Sequence, residues 1–213
     1  MERARYIAIE GPIGAGKTTL ANLLVERLGG RLVAEAFAEN PFLASFYDDR
    51  RKYAFQTQIF FLLSRFQQQQ GLFQQDLFNQ VTVADYLFAK DRIFAALNLD
   101  ANELALYEQL YALLGARTVR PDLVIYLQAR TEVLLARIRK RGREFERRLE
   151  PAYLEALGKA YNDFFFHFDD VPLLVVNTSD IDIAGSPTDA DALLAVIRRH
   201  RKGTAHYNPA GSR

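Results

Sequence analysis

Five short apolar runs punctuate the chain: YIAIE (6–10), RLVAE (31–35), VTVAD (81–85), LVIYLQ (123–128) and PLLVVN (172–177). Each is rich in Val, Ile, Leu or Tyr, and longer segments with helical spacing separate them. Near-continuous apolar strands alternating with helices are the signature of a parallel sheet covered on both faces. The pattern therefore predicts an α/β fold built on a five-stranded parallel sheet.

The intervening segments carry helix signals. KTTLANLLVERL (17–28) follows the first strand and stops at Gly29-Gly30. A long helix is predicted over roughly 51–79, where AFQTQIFFLLSRF holds apolar residues at helical spacing. Thr131 is placed to cap TEVLLARIRKR, Gly142 to end it, and Pro151 to start PAYLEALGKAYNDFF. The glutamine cluster FQQQQGLFQQ (66–75) is interleaved with Phe and Leu, which points to a packed helix end. TAHYNPAGSR reads as a loose tail, giving one domain over 1–203 and a flexible segment over 204–213.

Composition narrows the function classes. The chain has 213 residues, of which 49% are apolar and 25% charged, as in an ordinary globular domain. It contains no cysteine, so disulfides and thiolate metal sites are excluded. MERARYIAIEGP lacks the apolar stretch of a secretory signal, and no run approaches the ~18 apolar residues of a membrane span. A cytoplasmic protein without membrane contact is expected. The formal charge is only +1, yet RIRKRGREFERR (137–148) packs seven cations into twelve positions. Such a run is either a solvated helix end, a nucleic-acid patch, or a device for holding phosphates.

GPIGAGKTT (11–19) matches the Walker A pattern and has the context it requires, a strand before and a helix after. Gly11, Gly14 and Gly16 allow backbone N–H groups to surround phosphate oxygens, with Pro12, Ile13 and Ala15 between them. Lys17 is positioned for the β- and γ-phosphates and Thr18, followed by Thr19, for Mg²⁺, so ATP and Mg²⁺ are the implied cofactors. Glu35 ends the second strand on the sheet edge that faces a ligand, where a carboxylate can take a proton from an attacking hydroxyl or simply be solvated. Asp85 ends the third strand and can serve Mg²⁺ or cap the next helix. Gln58 and Arg65 lie seven residues apart on one helical face, suited to base recognition or to structural hydrogen bonds; Arg65 can pair with Asp91. Gln56 points elsewhere on that helix.

Together and in this order, these residues resemble the deoxyribonucleoside kinase family, most closely its bacterial members, over about residues 5–180. The resemblance implies a P-loop kinase fold with an arginine-rich lid, and a phosphotransferase acting on a deoxynucleoside, with purine deoxynucleosides or a broad range of bases as the expected substrates. Glu35 in VAEAFAENPF matches the catalytic base and Tyr47 in FLASFYDD the sugar-binding tyrosine. Gln58 and Arg65 match the base-reading pair, Asp85 the acidic residue of an acid-Arg-Ser motif, and Asp91 an acidic base contact. RIRKRGREFE matches the lid, with Arg137, Arg141 and Arg143 facing phosphates and Glu146 approaching the sugar 3′-hydroxyl. Arg139, Arg147 and Arg148 are expected on the surface. The chain departs from the pattern after Asp85, reading Tyr86-Leu87 where the family has Arg-Ser, which leaves Lys90 and Arg92 as candidate replacements. Phe37 and Phe42 are the candidates for an aromatic that follows the base. The resemblance also implies a homodimer, through helices such as those in 51–79 and 91–114. A nucleoside monophosphate kinase and a P-loop switch that binds nucleic acid through the basic run are the alternatives.

Overall fold

The computed structural model describes residues 6–74 and 81–209. Strand β1 (Tyr6–Glu10) leads through the phosphate loop into α1 (Lys17–Leu28), and β2 (Arg31–Val33) follows. Helices α2 (Leu43–Asp48) and α3 (Arg50–Gln74) precede β3 (Thr82–Ala84), and α4 (Lys90–Asn98) and α5 (Ala101–Gly115) precede β4 (Leu123–Gln128). The remainder is α6 (Thr131–Arg141), α7 (Pro151–Phe166), β5 (Leu173–Asn177), α8 (Pro187–Arg199) and β6 (Thr204–Tyr207).

These strands form one sheet in the order β2-β3-β1-β4-β5-β6, and every neighbouring pair is parallel. In β1, Ala8 pairs with Ala84 on one side and Val124 on the other. The chain leaves β1 toward β2 and β3 on one side and later fills β4 to β6 on the other. A crevice opens at the carboxyl end of β1 at such a switch point, and GPIGAGKTT begins there.

Burial explains why the apolar runs are continuous. Every residue of β1 is buried, as are Leu123–Leu127 of β4 and Leu173–Val176 of β5. Helix α1 turns Leu20, Ala21 and Leu24 onto the sheet, and α7 turns Tyr153, Leu154, Leu157, Tyr161 and Phe165 inward. Each fully buried Leu, Ile or Phe contributes about 1.5–3 kcal/mol. A carboxyl group also sits inside this core. Glu10 is fully buried and accepts hydrogen bonds from the Gly11 N–H, the Leu87 N–H and the Tyr161 hydroxyl, each at 2.9 Å. Its carboxylate thereby ties β1, the segment after β3 and α7 to the start of the phosphate loop.

Several sequence expectations are corrected. The sheet has six strands rather than five, because 204–207 pairs with β5 in register Leu173↔Thr204 to Val176↔Tyr207 instead of forming a loose tail. This edge strand is half-buried on alternate residues only, so it lacks the apolar run that marks the other strands. Strands β2 and β3 are shorter than predicted, ending before Ala34 and Asp85. The predicted stretch 75–79 of the long helix lies outside the described residues. Thr131 is the first residue of α6 and not its cap; Arg130 precedes it without a side-chain cap and pairs instead with Asp180 at 2.8 Å. Pro151 starts α7 and Gly142 ends α6 as expected.

Candidate active site

The phosphate loop folds around its own backbone. Gly14 has φ +86°, and a Cβ there would lie 2.9 Å from the Leu134 carbonyl and 3.0 Å from Ile138 Cγ1, so only glycine lets the loop pass α6. Lys17 donates to the carbonyls of Gly11 at 2.7 Å and Pro12 at 3.2 Å. Burial, then the neighbouring Lys90, lowers its pKa to about 8. A bound polyphosphate would reverse the second effect.

Asp85 joins this loop to the opposite wall. Its Oδ2 accepts from the Thr18 hydroxyl at 2.6 Å, and its Oδ1 accepts from the Glu35 N–H at 2.7 Å. It therefore does not cap α4. A hydroxyl and a carboxylate are hard oxygen donors of the kind Mg²⁺ takes, with phosphates and waters completing its shell. The Thr18 hydroxyl and the Asp85 carboxylate are donors of the kind that fits such an ion beside the phosphate loop.

Glu35 carries two cations. Its Oε1 pairs with Arg65 and its Oε2 accepts from Lys90 Nζ at 2.8 Å. Burial alone would raise its pKa, but Lys90 and Arg65 outweigh that and hold the carboxyl well below the usual carboxylate range. Arg65 reaches Glu35 because α3 buries it; its other terminal nitrogen pairs with Asp91 of α4, which is fully buried. Asp91 backs Arg65 and is absent from the cavity wall, whereas Gln58, one face-repeat before Arg65, lines that wall with its Oε1 unpartnered. Gln56 is exposed.

A single cavity of about 840 Å³ collects Lys17, Thr18, Glu35, Tyr47, Gln58, Arg65, Asp85 and Glu146. The basic run closes one side. Arg141 makes a bidentate pair with Glu146, its Nη2 donating to Oε1 at 2.6 Å and its Nε to Oε2 at 3.2 Å, and Arg143 lies 3.5 Å from the same carboxylate and 3.9 Å over the Phe37 ring. Phe145 stacks on Tyr47 at 5.7 Å, so α2 and the segment 144–148 form one aromatic wall with Phe37. Phe42 is not on it. Arg137 lines the cavity and also braces its floor. Its guanidinium donates to Thr178 O at 2.6 Å, to Ile181 O at 3.3 Å and to Ala15 O at 3.4 Å, bracing the phosphate loop against the segment after β5. Of the expected surface arginines, Arg139 and Arg147 are exposed and Arg148 pairs with Asp48.

Sequence reasoning did not single out several contributors. Thr57 lines the cavity beside Gln58 with a buried, unpartnered hydroxyl. Phe145 supplies the stacking ring, Phe94 lines the wall next to Lys90, and Ile181–Ala184 enter from beyond β5. Position alone could have flagged the last group, since it follows a parallel strand at its carboxyl end.

Comparison with known proteins agrees with this geometry. The family model for deoxynucleoside kinase matches residues 7–201. A deoxyguanosine kinase of Bacillus subtilis is 40% identical over 184 residues, covering 85% of this chain and 89% of its own length. A deoxyadenosine kinase of Dictyostelium discoideum is 39% identical over 82% of this chain and 73% of its own. The structure of a deoxyadenosine kinase from M. mycoides with bound dATP superposes with a TM-score of 0.80 at 29% identity, covering 91% of this chain and 98% of that one. These relatives are named as nucleoside kinases, and neither the monophosphate-kinase nor the nucleic-acid alternative gains support. With the match running from the first strand past α8, the chain belongs to the deoxynucleoside kinase family.

Proposed function

We propose that this deoxynucleoside kinase transfers the γ-phosphate of ATP to the 5′-hydroxyl of a purine deoxynucleoside, with Glu35 receiving the hydroxyl proton. The observation that carries this reading is Glu35 itself, held ionised by Lys90 and Arg65 in the same cavity as the phosphate loop. An ionised carboxylate is a ready acceptor, and in a loose transition state the proton leaves as the new O–P bond forms. The nucleoside 5′-oxygen attacks the γ-phosphorus, the bond to the β-bridging oxygen breaks, and ADP departs. Lys17 and the loop N–H groups hold the β- and γ-phosphates, while Arg141 and Arg143 close over them from the lid. Arg137 positions the loop. Thr18 and Asp85 would hold Mg²⁺, which when bound neutralises phosphate charge.

Tyr47 and Glu146 face the sugar. Burial, with Tyr153 and Glu146 nearby, raises the Tyr47 pKa, so its hydroxyl stays neutral and can donate. Gln58 offers an amide that both accepts and donates, as a purine edge requires, and Arg65, fixed by Asp91, stands beside it. The names of relatives acting on deoxyguanosine and deoxyadenosine support the purine assignment. A homodimer is inferred from exposed leucines on α3 and α5, and a cytoplasmic setting from the bacterial relatives; among the described residues no helix is long and apolar enough to cross a membrane.

The test is Glu35→Gln assayed with ATP against a panel of deoxynucleosides. Loss of the base is expected to lower kcat by roughly 10²–10⁴-fold on the best substrate. Wild-type kcat in that variant would remove Glu35 from the role.

A further inference from the structure

We propose that Lys90 is a catalytic residue, the cation that meets the γ-phosphoryl group between Glu35 and Lys17 as it is transferred. The inference rests on the kinase reading above and names a residue that reading leaves as a partner of Glu35 only.

Three observations carry it. First, the Lys90 side chain is 7% exposed yet lines the cavity together with Lys17, Thr18, Glu35 and Asp85. Second, an ammonium has three N–H donors, and among the described residues that of Lys90 makes one hydrogen bond, to Glu35 Oε2 at 2.8 Å; its other contact is the Phe94 ring at 5.6 Å. Two donors of a buried cation are thus left facing a phosphate-binding cavity. Third, Lys90 and Lys17 line the same cavity, so the site brings two side-chain cations to one space. Two ammonium groups brought together in a buried site repel each other until an anion lies between them, and the γ-phosphate is the anion the loop delivers there.

The rest of the segment gives no other candidate. Arg92 is on the surface, pairing with Glu108 at 3.1 Å and lying over the Tyr111 ring at 5.5 Å. Tyr86 is fully buried with its ring 6.0 Å from the Arg65 guanidinium, and the Leu87 N–H is committed to Glu10. The groups facing Glu35 are therefore Lys90 from α4, Arg65 from α3, and Asp85 through the Glu35 N–H, with Lys17 across the cavity. In the transfer step Lys90 keeps its proton: it donates hydrogen bonds to γ-phosphoryl oxygens while the 5′-hydroxyl proton passes to Glu35 and ADP leaves. This is the transition-state charge stabilisation expected of a preorganised cation.

The experiment compares Lys90→Met, Lys90→Gln and Lys90→Arg with the wild type. In Lys90→Met, kcat is expected to fall roughly 100-fold or more, with KM for the nucleoside changed far less. Calorimetric titration with ADP and with the β,γ-imido analogue of ATP gives a readout that does not depend on turnover. The variant is expected to lose roughly tenfold or more in affinity for the triphosphate analogue relative to ADP. Lys90→Gln keeps a donor for Glu35 but not the charge, so its kcat is not the deciding readout: a triphosphate-to-diphosphate affinity ratio lowered as in Lys90→Met supports contact with the γ-phosphate, and an unchanged ratio assigns the lysine to Glu35 alone. Lys90→Arg is expected to recover most of the loss. A wild-type triphosphate-to-diphosphate affinity ratio in both Lys90→Met and Lys90→Gln would overturn the proposal. Wild-type protein that phosphorylates no deoxynucleoside would overturn the kinase reading, and the affinity ratio would still decide the role of Lys90.

Discussion

Gln58 is 2% exposed, and its Oε1 has no partner among the described residues. Leaving a buried acceptor unsatisfied costs about 1–3 kcal/mol, a cost that disappears when a ligand supplies the donor. Stability and binding should therefore move in opposite directions in Gln58→Leu, which keeps the volume and removes the polar group. The empty variant is expected to melt at the same temperature as wild type or higher, while KM for the best deoxynucleoside rises roughly 10–100-fold. A lowered melting temperature with unchanged KM would make Gln58 a structural residue. The seven-residue spacing of Gln58 and Arg65 was readable in the sequence because helix geometry alone places them on one face. Lys90 and Arg92 were both candidates in the sequence, and which of them reaches Glu35 depends on how α4 packs against α3, a tertiary outcome. The partners of Arg137 were hidden for a related reason: its position on α6 is periodic, but the carbonyls that take up its donors come from Ala15, Thr178 and Ile181, distant in sequence.

Helix α6 shows how an element turns a charge run into a lid. It ends at Gly142 in the left-handed conformation, φ +72°, and this reversal sends Arg143 back toward the Glu146 carboxylate that Arg141 already holds. A Cβ at Gly142 would meet nothing nearer than the Arg139 carbonyl at 4.0 Å, so the cost of Gly142→Ala is backbone strain, about 1–2 kcal/mol. In a chain of this size each kcal/mol corresponds to roughly 2–4 °C in Tm. The variant should melt a few degrees lower and show a larger rise in KM for ATP than for the nucleoside, checked by thermal denaturation and steady-state kinetics. An unchanged Tm would mean that the helix ends another way. The α6 terminator was legible because glycine after a basic last turn is a local signal. Strand β6 was not, because an edge strand with alternate exposure carries too little apolar character to be told from a tail. The start of α6 was misassigned by one residue, the usual scale of ambiguity at a helix end.

At the scale of the whole molecule, two surfaces face opposite demands. Helix α5 packs Tyr107, Leu110 and Leu114 inward with Leu62 and Phe88, yet leaves Leu106 48% and Leu113 71% exposed, with Leu63 of α3 at 48%. A helix apolar on two faces needs a second partner. Leu106→Lys with Leu113→Lys is expected to convert a dimer into a monomer of 24.3 kDa in light scattering, and a wild-type monomer would dismiss the interface. The interior makes the opposite demand, for protons to stay where they are. Burial raises the hydroxyl pKa of Tyr6, Tyr47, Tyr86, Tyr107, Tyr111, Tyr126, Tyr153 and Tyr161, with Tyr111 and Tyr153 pushed to about 12. Below about pH 10 these groups are protonated in both folded and unfolded chains and stability does not depend on them. Above it the unfolded chain releases protons that the native state retains, so the unfolded state binds fewer protons and stability falls as pH rises. Each pH unit over which one hydroxyl stays protonated only in the native state removes about 1.4 kcal/mol. A few such tyrosines suffice against a typical domain stability of roughly 5–15 kcal/mol. Tyrosinate absorbance and far-ultraviolet circular dichroism, followed together as pH is raised, should change in one coincident transition that begins above about pH 10. Tyrosine ionisation near pH 10 with the helical signal intact would show that these rings are reached by solvent without unfolding, against the packing of Tyr126, Tyr161 and Phe165 beneath the phosphate loop.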